Sequence, residues 1–92
     1  MVIERYKNRD AKAVYARFRG HGRMMPEGLK YVGSWTETNF DRCFQVMETD
    51  NPALFEQWTG HWRDLIDFEI LPVMTSAEAM VAALKDEPPV AG

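Results

Sequence analysis

The chain has 92 residues, of which 46% are hydrophobic, 12% aromatic and 27% charged. That length allows one domain, since a domain typically takes about 100 to 200 residues, and that composition excludes disorder of the whole chain. The formal net charge of −3 argues against nucleic acid as a partner, because phosphate binding is driven by clustered Lys and Arg.

Met1 to Tyr6 is short, apolar and β-branched and reads as a strand, and Lys7 to Asp10 supplies polar residues that turn the chain and cap a helix. From Ala11 the apolar residues Ala11, Val14, Tyr15 and Phe18 recur at i, i+3, i+4 and i+7, one face of a helix that Gly20 and Gly22 should end. Met24 to Gly28 reads as a loop. Leu29 to Glu37 and Arg42 to Glu48 are two strand-like runs joined by a four-residue hairpin, Thr38 to Asp41. That loop length sets Glu37 opposite Arg42, Trp35 opposite Phe44 and Gly33 opposite Val46, an aromatic face closed by an ion pair.

Asp50-Asn51-Pro52 opens a second helix, with Leu54, Phe55, Trp58, His61, Trp62 and Leu65 as a wide apolar stripe. Asp67 to Val73 follows as the fourth strand. Thr75-Ser76-Ala77-Glu78 has the form of a capping box and starts a third helix, whose narrower stripe is Ala77, Met80, Val81 and Leu84. Residues 86–92 read as a flexible tail and residues 1–85 as a single domain.

Strand, helix, strand, strand, helix, strand is the split βαβ order, so the expected fold is α+β and ferredoxin-like, a four-stranded antiparallel sheet with both helices on one face and an extra C-terminal helix. The other sheet face is left uncovered, and burying it against a second copy predicts a homodimer.

The chain also resembles a family of small bacterial proteins of unknown function in the dimeric α/β-barrel superfamily. The resemblance spans about residues 1 to 85 and is carried by Val2-Ile3-Glu4-Arg5-Tyr6, the run Gly22 to Tyr31, Trp35, Asp41 to Gln45, Pro52 to Phe55, Trp58 and Trp62. It implies a two-fold dimer whose sheets face each other, in a superfamily that includes cofactor-free monooxygenases, haem-dependent enzymes and isomerases with pockets between sheet and helices. It implies no single activity.

His61, placed on an apolar stripe between two tryptophans, is the sharpest catalytic candidate, a ring that either exchanges protons or is an interior histidine bonded to a carbonyl. His21, after the first helix and near Arg23, is a weaker one and equally fits a helix-end cap. Tyr31, Trp35, Glu37, Arg42, Trp58 and Trp62 are the expected ligand-binding residues, with Phe44 and Tyr6 beside them, around a pocket for a small apolar or aromatic molecule. Cys43 lies within a strand and is read as packing rather than as a nucleophile.

Two histidines and one cysteine without paired spacing give no metal signature and no cofactor is expected. Residues 1 to 30 hold eight of the eleven bases against three acids. That basic segment is either a solvated helix face or a surface for an anion or for the acidic remainder of a second copy. With no signal-peptide pattern, one Cys and no membrane-length apolar run, the expected setting is cytoplasmic, with no membrane partner. The expected function is a small-ligand-binding or cofactor-free catalytic homodimer; the alternative is a dimerisation or interaction module without a small-molecule ligand.

Overall fold

The computed structural model describes residues 1–85; the expected tail, residues 86–92, lies outside them. The elements are β1 (Val2–Tyr6), α1 (Ala11–His21), β2 (Lys30–Thr36), β3 (Arg42–Glu48), α2 (Ala53–Thr59), β4 (Ile66–Ile70) and α3 (Ser76–Leu84), with one 3₁₀ turn at Lys7–Arg9. The strands form one antiparallel sheet in the order β2-β3-β1-β4. This is the expected α+β, ferredoxin-like arrangement with an added C-terminal helix.

Asn8 and Arg9 take left-handed backbone angles, φ 57° and 54°, which reverse the chain from β1 into α1. Asp10 then caps the helix, its carboxylate accepting the N–H of Ala13 at 3.1 Å. The helix passes Gly20 and stops at Gly22, whose positive φ of 67° needs no Cβ and whose N–H donates to the Phe18 carbonyl.

Between β2 and β3 the expected hairpin register holds: Trp35 opposes Phe44 and Gly33 opposes Val46. The expected ion pair is present, Arg42 donating to both Glu37 oxygens at 2.7 and 3.1 Å. A bulge at Val32 then shifts the pairing so that Tyr31 opposes Met47. One extra residue reverses the face of everything beyond it, so Tyr31 shares the helix side with Met47 while Trp35 stands on the open side with Phe44.

Two boundaries differ from expectation. α2 ends at Thr59, where the sequence stripe predicts helix to Leu65. Gly60 has poor helix propensity, and residues 60–65 form successive turns closed by the Ile66 N–H on the Trp62 carbonyl. Arg17 of α1 fastens these turns, donating to both Asp64 oxygens at 2.7 and 2.6 Å and to the His61 carbonyl at 3.0 Å. β4 runs Ile66–Ile70 rather than Asp67 to Val73. Its partner β1 gives out at Val2, which pairs with Ile70. Leu71 adds two bonds to Met1, its N–H donating to the Met1 carbonyl and its carbonyl accepting from the Met1 amine, and Pro72 has no N–H with which to extend the ladder.

The core lies between the sheet and α1 and α2. Val2, Tyr6, Val14, Leu29, Cys43, Met47, Trp58, Trp62 and Ile66 are its buried members. Gly28, at φ 94°, closes the loop before β2, and a Cβ there would come 3.0 Å from Leu54 Cδ1. A Gly28→Ala variant should therefore lose about 1 to 3 kcal/mol through backbone strain and contact, read as a lower urea midpoint with an unchanged slope.

Candidate functional site

β1 and β3 are neighbours at the centre of the sheet, and their alternation sets Val2, Glu4 and Tyr6 beside Cys43, Gln45 and Met47 on the helix side. Two of those inward positions are polar. Glu4 is 4% exposed and Gln45 7%, and they are bonded to each other, Gln45 Nε2 donating to Glu4 Oε1. The other Gln45 amide atom, Oε1, is buried with no hydrogen-bond partner. A buried acceptor left unpaired is uncommon and is a place for a donor to dock.

Both residues line a cavity between the sheet and the helices that opens past Tyr15, Phe18 and Arg23, with about 80 Å³ of room inside, enough for several waters. Trp58 and Trp62 form its apolar wall. Their indole N–H groups converge on one carbonyl, that of Arg23, at 2.9 and 3.0 Å, which satisfies both buried donors and pins the loop after α1 over the cavity. The Arg23 guanidinium lies 3.7 Å from the Tyr31 ring centroid and 4.8 Å from that of Phe18, held by two cation–π contacts.

Burial pushes the Glu4 carboxyl up to about 7; the positive charge of Arg23 and a hydrogen bond from the Cys43 thiol oppose that rise without cancelling it. A carboxyl poised near neutrality both takes and releases a proton. Burial also raises the Cys43 thiol, so it is a neutral donor rather than a nucleophile. Burial, and then the bond to Tyr15, raises the Tyr6 phenol. Tyr6 and Tyr15 hydroxyls are 3.4 Å apart, and Tyr15 and Thr36 hydroxyls 2.9 Å. Because Tyr15 is 41% exposed, these hydroxyls lead from the cavity to solvent.

Residues 1–86 match the family described as Domain of unknown function (DUF3303). The chain belongs to that family. No curated protein and no solved structure matches it. Within this DUF3303 domain the residues singled out from the sequence divide between two surfaces. Trp58 and Trp62 line the cavity, and Tyr31 backs it by supporting Arg23, its hydroxyl bonded to Ser34 Oγ at 2.6 Å.

Trp35, Glu37 and Arg42 are on the opposite face of the sheet. Trp35 is 63% exposed and lies across Gly33, where a Cβ would come 3.3 Å from its Cη2. Arg42 is held by Glu37 and by the Phe44 ring, 5.2 Å from its centroid. The expected single pocket holding Trp35, Glu37 and Arg42 together with Trp58 and Trp62 is thus corrected: the sheet separates Trp35 from the other two tryptophans.

His61 is corrected too, because α2 ends before it and its side chain is exposed while Trp62 turns inward. His21 is exposed at the end of α1, and neither histidine lines the cavity. Among the described residues no three His, Cys, Asp or Glu side chains gather closely enough to hold a metal ion, and no helix is long and apolar enough to cross a membrane.

Glu4, Gln45, Tyr15 and Arg23 were not among the sequence candidates. The available signal was Glu4 itself, an acid at the alternate position between Val2 and Tyr6 on the face that must be buried.

Proposed function

We propose that this chain is a homodimer of the dimeric α/β-barrel type that binds a small, partly apolar ligand between sheet and helices and exchanges a proton with it through Glu4. The observation that carries the reading is the buried Glu4–Gln45 pair lining an open cavity, with Gln45 Oε1 unpartnered. A ligand donor would occupy that acceptor, and the indole rings of Trp58 and Trp62 would cover its apolar part. Arg23 supplies the only cation lining the cavity among the described residues, positioned to stabilise negative charge that develops on a ligand oxygen when Glu4 takes a proton. No cofactor enters this scheme.

Trp58 and Trp62 report on the cavity directly. Titration with a panel of small aromatic and quinone-like compounds should change tryptophan fluorescence, and the response should be lost in Gln45→Leu, which removes both the orphan acceptor and the bond to Glu4. A flat response across the panel would favour the alternative, an interaction module with no small-molecule ligand.

The homodimer part of the reading rests on the open sheet face. There Trp35 is 63% exposed beside Ile3, Phe44 and Val46, an apolar patch of the kind that marks an interface. Light scattering should give a mass near twice 10.6 kDa; a compact monomer at micromolar concentration contradicts it.

A further inference from the structure

α3 is nine residues long, and an isolated helix that short is marginal in water. Its start is well made, with the Thr75 hydroxyl accepting from the Glu78 N–H and the Glu78 carboxylate accepting from the Thr75 N–H, each at 3.1 Å. Yet none of its residues is buried. Met80, Val81 and Leu84, on one face, are 61%, 69% and 51% exposed. The segment leading to it is equally apolar and bare, with Val73 and Met74 at 58% and 60%.

Pro72 ends the ladder of β4, and residues 71–75 make no turn that would fold the helix back on its own domain. The radius of gyration is accordingly 17.0 Å, against about 12 Å for a compact chain of this length.

β4 is one of the two edge strands of the sheet, and beside it, on the helix side, an open groove of about 380 Å³ is lined by Thr59, Ile66, Phe68 and Ile70, with Lys7, Arg63 and Asp67 at its rim. Ile70, 40% exposed, lies where a covering helix is missing. We infer that α3 is an arm exchanged between two copies of this chain, its Met80, Val81 and Leu84 face seated in the groove beside β4 of the second copy.

The areas agree with that occupant. The five exposed apolar side chains of the arm, Val73, Met74, Met80, Val81 and Leu84, hold on the order of 500 Å² per copy, and a two-fold exchange also buries each copy's groove, which brings the total toward the roughly 800 Å² per partner that a stable complex buries. The arm also starts from the end of the strand that borders the groove, so a two-fold exchange brings each arm to the other copy's groove by the same path. This rests on the homodimer reading above and adds a second contact to it.

The test uses the full chain. Met80→Glu with Val81→Glu alters two side chains that are exposed on the arm, so circular dichroism, Trp58 and Trp62 fluorescence and ligand response should be unchanged, while the dimer dissociation constant measured by light scattering rises about 100-fold or more. In a mixture of ¹³C-methionine-labelled and unlabelled parent chains, filtered NOEs should connect the Met80 methyl to Phe68 of the unlabelled copy. A variant that dimerises as tightly as the parent, or NOEs confined to one copy, overturns the arm exchange and leaves the homodimer standing. A monomeric parent removes both.

Discussion

Trp58→Ala should cost about 3 to 5 kcal/mol of stability, the range for deleting a large aromatic from a packed core. Trp58 is 2% exposed, meets Phe68 edge to face at 5.4 Å between ring centroids, and donates its indole N–H to the Arg23 carbonyl. Truncation loses the burial, the aromatic contact and one of the two bonds that hold the Arg23 loop over the cavity. Trp58→Phe keeps most of the ring and deletes only the donor, and Trp62 still serves the Arg23 carbonyl, so its cost should be nearer 1 kcal/mol. Urea melts of both variants check the pair. Equal losses would mean that the loop, rather than the ring, carries the energy.

The second large effect is the response of stability to pH. Glu4 has its carboxyl raised from 4.5 to about 7, chiefly by burial, so between those values the folded chain holds a proton that the unfolded chain has released. Stability then falls as pH rises. Its contribution is fully present below 4.5, declines through the window up to 7 and is flat above, a total of about 3 kcal/mol at 1.36 kcal/mol per unit.

Glu37, Asp64 and Glu78 have the opposite sign. Hydrogen bonds from Arg42, from Arg17 and from the Thr75 backbone lower them, so what they contribute is present at neutral pH and lost below their unfolded values. The two trends together put maximum stability near pH 5. Glu4→Gln keeps the shape and removes the charge, so it should flatten the slope between pH 5 and 7 and leave the variant more stable than the parent at pH 8. The difference between the two urea-melt curves isolates Glu4 from every other titrating group. A stability cost carried by a buried polar group in a cavity is the usual mark of a functional rather than a structural residue.

The succession of elements along the chain and the hairpin register were legible because period-two runs and a four-residue loop leave little choice of pairing, and the capping box at Thr75 is a local signal that needs no tertiary context. The site was less so. Tyr31 and Trp35 are four residues apart, which in a regular strand means one face, and nothing in the composition of β2 announces the bulge at Val32 that parts them. His61 continues a helical stripe on paper, but the stripe does not show that Gly60 and the Arg17–Asp64 bond replace the last helical turns with others. Glu4 was passed over because an acid in a strand is ordinarily on the solvent side, although its alternation with Val2 and Tyr6 pointed to the buried one. The exposure of α3 was unreadable for a related reason: its stripe announces that something must cover it, and not that its own domain leaves it bare.

The central claim is that the cavity holds a carboxyl exchanging its proton near neutral pH. A ¹³C NMR titration of the Glu4 side-chain carboxyl, assigned by its absence in Glu4→Gln, tests it most directly. The account predicts a midpoint close to 7, moving further up when the Arg23 charge is removed in Arg23→Gln. A midpoint at or below the ordinary value of 4.5, insensitive to Arg23, would contradict it.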